Sequence, residues 1–125
     1  MKFRAICENH LYAKAYSKGK RAVTRSVAVY VLPDYLAERL RRAHPARLRV
    51  NRIGLTVTKK LGGAVVRNRT KRVLREAYRA VEKSVRIKTG FLVVLAAREP
   101  ATHLKSNEVA RDLRAALDKL GLLLL

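Results

Sequence analysis

A helix with two very different faces is the feature that most constrains the fold. Over residues 64–83, apolar side chains recur at three- and four-residue spacing, as on the buried stripe of an amphipathic helix. The predicted stripe comprises Val66, Thr70, Val73, Leu74, Ala77 and Val81. Between positions 67 and 79 the same segment carries six bases and one acid. Such a helix has to cover an apolar layer while its opposite side stays at the surface.

Two segments before this helix alternate with the two-residue period of strands. In residues 22–32 one face carries valines, with Arg25 as its single charge, and the other carries small, polar or aromatic side chains. The valines are Val23, Val27, Val29 and Val31, and the opposite face holds Thr24, Ser26, Ala28 and Tyr30. Residues 48–58 likewise alternate between aliphatic and polar or basic side chains. Each strand therefore has one side suited to helices and one side suited to a ligand.

The remaining helices and strands are predicted from the residues that begin and end them. A short helix over residues 8–18 ends at Gly19, and residues 34–43 form a basic helical excursion. A near-continuous apolar run over residues 91–98 predicts a central strand buried on both sides. Ser106 and Gly121 are the predicted N-cap and C-cap of a last helix. We expect one α+β domain over residues 1–125: an α-β sandwich with a three- to four-stranded sheet packed by helices, and the arginine-rich helix after the second long strand.

The charge of the chain is large and unevenly distributed. Twenty-nine Lys and Arg oppose nine Asp and Glu, which gives a formal charge of +20. Residues 1–98 hold 25 bases and five acids, whereas residues 99–125 hold four of each. A surface needed only for solubility does not require this asymmetry, and a surface that docks on phosphates does.

Other classes of protein are disfavoured by composition. The apolar runs fall far short of the roughly 20 residues of a membrane span, so no membrane partner is expected. The start of the chain lacks the apolar region of a signal peptide. The single Cys7 forms no internal disulfide and fits a reducing cytoplasm. We therefore expect a cytoplasmic protein.

The basic helix face is the strongest functional signal. At about 100° per residue, one group of side chains falls together opposite the apolar stripe. This group comprises Arg67, Asn68, Lys71, Arg72, Arg75 and Arg79. Like charges at i, i+4 destabilise a free helix, and arginine suits bidentate contact with phosphate. The alternative is a merely solvated face, but solvated faces normally mix Glu with Lys.

Three tyrosines indicate a surface for unstacked bases. Tyr12 and Tyr16 lie at i, i+4 on the first helix, and Tyr30 lies on the ligand side of the first strand. Aromatic rings accept any base, so such a platform tolerates sequence variation. The alternative is that all three rings form the ordinary edge of a core.

No protein catalytic or metal site is indicated. His10, His44 and His103 are scattered along the chain, and none has a nucleophile or carboxylate at useful spacing. The nine acids form no metal-ligand motif. We therefore expect neither a catalytic residue nor a metal ligand from this chain, and the absence of a carboxylate cluster argues against a protein-only nuclease.

Two consecutive motifs resemble the bacterial ribonuclease P protein family. They are Ile-Gly-Leu-Thr-Val-Thr-Lys-Lys at residues 53–60 and Gly-Gly-Ala-Val-Val-Arg-Asn-Arg-Thr-Lys-Arg at residues 62–72. Upstream, Tyr12, Tyr16, Gly19, Arg25 and Tyr30 match the spacing of the family. Gly63 departs from the pattern, since Asn is the expected residue there. The resemblance covers residues 8–120.

The resemblance implies a subunit of a ribonucleoprotein endonuclease that removes the 5′ leader of precursor tRNA. Catalysis would belong to a large RNA with Mg²⁺, and the protein, a monomer without its own cofactor, would bind that RNA and the precursor. The implied contacts to catalytic RNA are Arg67, Asn68, Arg69, Lys71, Arg72, Arg75 and Arg79. The implied contacts to the leader are Tyr12, Tyr16, Arg25, Tyr30, Thr56, Thr58, Lys59 and Lys60. The alternative is a structural RNA-binding protein of ribosomal type without an enzymatic role.

Overall fold

The computed structural model describes residues 3–5, 9–34 and 51–124. Three α-helices lie in this part of the chain: α1 (Asn9–Lys18), α2 (Ala64–Ser84) and α3 (Ser106–Lys119). The strands are β1 (Phe3–Ala5), β2 (Lys20–Val23), β3 (Val27–Pro33), β4 (Asn51–Thr56), β5 (Arg86–Ile87), β6 (Phe91–Ala97) and β7 (Leu123–Leu124). Two 3₁₀ turns, Lys59–Leu61 and Glu99–Thr102, precede α2 and α3.

The strands described here form one main sheet in the order β1-β4-β6-β3-β2. The pairs β1–β4 and β4–β6 are parallel, while β3–β6 and β2–β3 are antiparallel. Strands β5 and β7 form a separate antiparallel pair. The predicted α+β class is confirmed. The main sheet has five strands rather than the three to four expected, because residues 22–32 contribute to two strands and β1 adds a short edge.

Helices cover both faces of the sheet. Helices α2 and α3 pack on one face, where the buried residues include Val29, Val93, Leu74 and Leu113. Helix α1 covers part of the other face, where Ala15 packs against Leu32, Leu92 and Val94. In β6 the residues from Leu92 to Leu95 are all buried. The prediction of a central strand with two buried sides is therefore confirmed.

The predicted continuous strand over residues 22–32 is wrong. The chain reverses at Thr24, whose N–H and Oγ1 both donate to the carbonyl oxygen of Val27, at 2.9 and 2.8 Å. The reversal changes which residues face the core before the turn. Ala22 pairs with Val29 and enters the core, whereas Val23 pairs with Ala28 and faces the other side. Val23 is accordingly 46% exposed on the α1 side and does not share the face of the later valines.

Two further residues of the turn also depart from the expected faces. Arg25 lies in the turn and not on the valine face. Ser26 is fully buried and donates a 2.6 Å hydrogen bond to Asp112 Oδ2 on α3, so it does not line the ligand side. A contact with a helix 86 positions later thus fixes this reversal.

The ends of α3 differ slightly from expectation. Ser106 is the first helical residue, and Lys105 occupies the cap, where its N–H donates to Glu108 Oε1 at 3.3 Å. Gly121 adopts φ 73° after the helix, and the N–H of Leu122 donates to the carbonyl of Leu117. This glycine performs the predicted C-terminal role, since positive φ is costly for other residues. The predicted excursion over residues 34–43 falls almost wholly outside the described residues, as does the start of the strand predicted at 48–58.

A buried amide connects α2 to the sheet. Asn51, 2% exposed, donates from Nδ2 to Tyr78 Oη at 3.2 Å and to the Lys88 carbonyl at 2.9 Å. Its Oδ1 accepts from the N–H of Phe91 at 3.0 Å. Burial raises the pKa of Tyr78 to about 12, the bond from Asn51 opposes this shift, and the charge of Glu82 adds to it. The amide thereby fixes the start of β4 against α2 and β6.

Candidate nucleic-acid interface

The junction of α1 with the sheet depends on two close approaches. A Cβ on Gly19 would lie 2.5 Å from the carbonyl oxygen of Ala15 and 2.8 Å from that of Val31. A Cβ on Gly54 would lie 2.6 Å from Cε1 of Tyr12. The absence of these two side chains lets α1 lie directly on the strands, with the ring of Tyr12 over β4. Gly54 was not among the predicted site residues. Its position in the motif at residues 53–60 was the signal that could have identified it.

Tyr16 of α1 contacts strands β3 and β4 beside this junction. Its hydroxyl donates a 2.7 Å hydrogen bond to Thr56 Oγ1, and its ring meets that of Tyr30 edge-to-face, with centroids 4.7 Å apart at 80°. Tyr16 remains 40% exposed, and Tyr30 is partly exposed. We call Tyr16 and Tyr30 the tyrosine wall. An exposed aromatic pair with a hydroxyl neighbour can stack on bases and contact sugar or phosphate groups.

The structure brings half of the predicted leader-binding set together at this wall. Tyr12 and Tyr30 pack against the same small cluster as Ala15, and Tyr16 bonds to Thr56. Thr58, Lys59 and Lys60 follow β4 and are all exposed. They supply hydroxyl and ammonium groups beyond the β4 end of the wall.

Arg25 is not brought to the tyrosine wall. It lies in the β2–β3 turn with its side chain 61% exposed, and its Nε is 3.7 Å from Asp112 Oδ2. Asp112 belongs to α3, on the other layer of the sheet. The nearest charge partner of Arg25 is therefore on the side away from α1.

Helix α2 presents an exposed polar face opposite its buried one. Thr70, Leu74, Ala77, Tyr78 and Val81 are buried. The exposed face carries Asn68, Arg72, Arg75 and Arg79, which we call the cationic ridge. The wheel argument from sequence is confirmed for these four positions. Three guanidinium groups on one helix face form a local positive field that attracts a polyanion.

Three other residues of the implied contact set for catalytic RNA lie beside the ridge and not in it. Arg67 is half-buried, and its Nε is inaccessible and makes no hydrogen bond within the described structure, so placing it opposite the stripe was wrong. Lys71 is half-buried beside it. Arg69 is exposed on the other flank and donates from Nη1 to the carbonyl of Thr102 at 3.2 Å. It thereby connects α2 to the 3₁₀ turn before α3.

The histidines and acids of the described residues are dispersed. Within residues 9–34 and 51–124, no three His, Cys, Asp or Glu side chains come together as a metal site. His10 is exposed, and exposed His103 has Nδ1 3.9 Å from Glu99 Oε1. His44 and Cys7 lie outside the described residues. None of the helices described is both long and apolar enough to cross a membrane.

The fold and these surfaces define a class: a small, highly basic α+β protein with a cationic helix on one layer and an exposed aromatic wall on the other. The family model for Ribonuclease P matches residues 1–121. The chain therefore belongs to the ribonuclease P protein family, as the motifs at residues 53–72 predicted. These matches do not favour the alternative of a ribosomal-type protein.

Individual relatives agree with this assignment. The ribonuclease P protein component of Shouchella clausii is 33% identical over 118 residues, which cover 94% of this chain and 86% of the relative. That of Clostridium acetobutylicum is 31% identical over 124 residues, which cover 99% and 94%. The family is therefore supported along nearly the whole chain.

Solved structures show the same fold. The RNase P protein of Staphylococcus aureus superposes with a TM-score of 0.72 at 24% identity, over 98% of this chain and 97% of the other. The RNase P protein of Thermotoga maritima gives a TM-score of 0.68 at 20% identity, over 90% and 93%. The layered arrangement described above is thus the fold of this family.

Proposed function

We propose that this chain supports 5′ maturation of tRNA by binding two RNA segments at once. The cationic ridge of α2 contacts the catalytic RNA of ribonuclease P, and the tyrosine wall with Thr56 contacts the 5′ leader of precursor tRNA. The observation that carries the proposal is that the two surfaces lie on opposite layers of one sheet. Occupation of one surface therefore leaves the other free.

The ridge suits a folded RNA. Arg72 and Arg75 are exposed, and a guanidinium donates two parallel hydrogen bonds to a phosphate. The flanking residues Arg67, Arg69 and Lys71 extend the positive field of the ridge. Each neutralised phosphate releases counterions, so binding by this surface depends strongly on salt.

The tyrosine wall suits a single strand of variable sequence. A base stacked on an aromatic ring gains about 1–3 kcal/mol whatever its identity. Thr56 and Thr58 offer hydroxyls to the sugar-phosphate backbone, and Lys59 and Lys60 add charge where the strand meets α2. We include Tyr12 in this site because its ring packs α1 against β4 at Gly54. We include Arg25 only as a contact outside the tyrosine wall.

The chemical step is assigned to the RNA. When Mg²⁺ is bound there, it supplies Lewis-acid stabilisation and an activated water. We assign the metal to the RNA because the described side chains form no group of three potential ligands. This chain contributes affinity and position: the ridge seats it on the ribozyme, and the wall holds the leader beside the scissile bond.

We further propose that the protein acts as a monomer within a cytoplasmic ribonucleoprotein. The proposal is supported by the polyanion-binding charge of +20, which is neutralised by RNA and opposes self-association. The mass of the RNA-free protein, measured by light scattering, is expected to be that of one chain, and a dimer would contradict this part.

Reconstitution tests the proposal. The protein is combined with a bacterial ribonuclease P RNA, and 5′ cleavage of a precursor tRNA is measured at low Mg²⁺ with and without the protein. We expect the protein to increase cleavage and to bind the precursor more tightly than mature tRNA. Equal cleavage with and without protein would contradict the proposal. Enrichment of ribosomal RNA alone in a pulldown would support the ribosomal-type alternative instead.

A further inference from the structure

The β2 edge of the sheet carries two exposed side chains on the face of the tyrosine wall. Arg21 pairs with Tyr30, and Val23 pairs with Ala28. Residues directly opposite each other in a ladder point to the same side of a sheet. Arg21 and Val23 therefore lie on the α1 side, although the sequence pattern placed Val23 in the core. Both are exposed, Val23 by 46%.

Val23 begins one row that crosses the sheet, and Arg21 begins the neighbouring row, which continues through Tyr30 and Val94. The register joins Val23 to Ala28, Ala28 to Ala96, and Ala96 to Thr56. Three strand spacings of about 4.8 Å make this row about 14 Å long from β2 to β4. Through Ala15, helix α1 packs on Leu32, Leu92 and Val94 of the same face. The row from Val23 to Thr56 stays outside this contact and runs past the tyrosine wall.

The described elements on the α1 side of the sheet carry lysines and arginines without exposed acidic residues. Among the described residues, α1, β2, β4 and β6 contain no Asp or Glu. The acid that follows β3, Asp34, is buried and accepts hydrogen bonds of 2.6 and 2.8 Å from Nε and Nη2 of Arg52. Among the described residues of this layer, the guanidinium of Arg21 therefore has no exposed carboxylate on the strands and helix around it, which suits an anionic partner.

We propose that Arg21 and Val23 form the exit of the leader site, where the part of the leader farther from the cleavage site crosses β2. The inference rests on the proposed function. The direction follows from the fold: Lys59 and Lys60 stand between the β4 end of the row and α2, so the strand enters near the catalytic RNA and leaves at β2. Arg21 binds a phosphate there, and Val23 contacts a ribose or base.

The experiment compares variants in the reconstituted holoenzyme on precursor tRNAs with leaders of increasing length. Arg21→Ala is expected to weaken binding of long-leader precursors by about two- to twelvefold, the range for the net contribution of one typical hydrogen bond. Binding of the shortest leader is expected to remain unchanged. The slope of log K against log salt should fall by about 0.7 for long leaders only, as for one phosphate of a single strand.

Two controls make the outcomes distinct. Arg114→Ala removes the same charge from the exposed side of α3, on the other layer, and should affect no leader. Arg21→Lys keeps the charge and should retain most of the long-leader affinity.

If Tyr16→Ala weakens leader binding and Arg21→Ala does not, the proposed exit is wrong and the proposed function stands. Arg21 is then a solvated charge that discourages pairing of another strand with the β2 edge. If neither variant weakens leader binding, the leader site itself is wrong. An equal loss for every leader length would place the contact of Arg21 elsewhere.

Discussion

Tyr16 and Thr56 are joined by a 2.7 Å hydrogen bond that connects α1 to β4 across the sheet, between residues 40 positions apart. The bond orients the ring of Tyr16 while 40% of the residue stays accessible. Orientation of an exposed ring lowers the entropic cost of stacking a base on it. On the proposed function, the hydroxyl of Tyr16 positions the ring and the ring supplies the stacking surface.

This division predicts different effects for two substitutions of Tyr16. Tyr16→Phe loses the hydrogen bond and keeps the ring, so precursor binding should weaken by about 0.5–1.5 kcal/mol. Tyr16→Ala loses the ring and should weaken it by about 1–3 kcal/mol. Affinity for mature tRNA should stay almost unchanged in both. Equal loss for precursor and mature tRNA, measured by equilibrium binding to the holoenzyme, would contradict the leader assignment.

The cationic ridge should control assembly with the catalytic RNA. Arg72→Ala removes an exposed guanidinium, so the protein should bind the RNA more weakly and with a salt slope lower by about 0.7–0.9. Filter binding over a range of salt concentrations measures both quantities. Arg114→Ala is the matched control because it lies on α3 and changes the net charge equally. Identical slopes for the two variants would mean that the ridge is not the contact.

Gly54→Ala should disturb the seat of α1. The added Cβ would lie 2.6–2.8 Å from Cε1, Cζ and Oη of Tyr12, so the side chain of Tyr12 has to shift away from β4. We expect a loss of about 1–3 kcal/mol in the free energy of unfolding, measured with denaturant. Gly63→Ala is the control, because a Cβ there meets nothing within 4 Å, and its effect should stay within about 1 kcal/mol. The double variant Gly54→Ala/Tyr12→Ala should lose less than the sum of its single changes.

Tyr78 should make the protein sensitive to alkali. Its pKa is about 12 in the folded protein and 10.0 ordinarily, so the folded state favours the neutral phenol. The resulting stabilisation is complete below pH 10 and is lost as the pH rises through about 12, by about 2–3 kcal/mol in total. Denaturant unfolding at several alkaline pH values should show this decline, and Tyr78→Phe should reduce it. An unchanged decline in Tyr78→Phe would assign it to another group.

Much of the fold was predictable because local pattern and burial agree. Four members of the predicted stripe of α2, the central position of β6 and the closing role of Gly121 follow from periodicity or from backbone conformation. The stripe omitted Tyr78, which is fully buried, and included Val66 and Val73, which are only partly buried. The reversal at Thr24 was not predictable in this way. The segment has no Gly, Pro or Asn at the turn, and the valines on both sides alternate as in one strand. The turn is closed by Thr24 and Val27, and Ser26 is buried there by a hydrogen bond to Asp112 that no local pattern reveals.

The exposure and contacts of the candidate site residues were only partly predictable. A helical wheel places Asn68, Arg72, Arg75 and Arg79 correctly because they lie far from the buried stripe. The sequence interpretation was wrong for Arg67, which lies seven residues before Leu74 and therefore only about 20° from it, on the buried side of the helix. The wheel cannot identify the partner of Arg69, because that contact depends on what packs beside the helix. Gly54 shows the same limit, since its importance arises from a ring on α1.

The place of β6 in the sheet also bears on synthesis of the protein. Strand β6 lies between β4 and β3, yet it comes from residues 91–97. A growing chain that stops before Phe91 has no strand to join β3 to β4, so Tyr16 cannot reach Thr56 over a finished sheet. Leader-binding competence should therefore arise only after about three quarters of the polypeptide has left the ribosome. On the proposed function, a nascent chain without β6 therefore should not bind the leader of a precursor transcript.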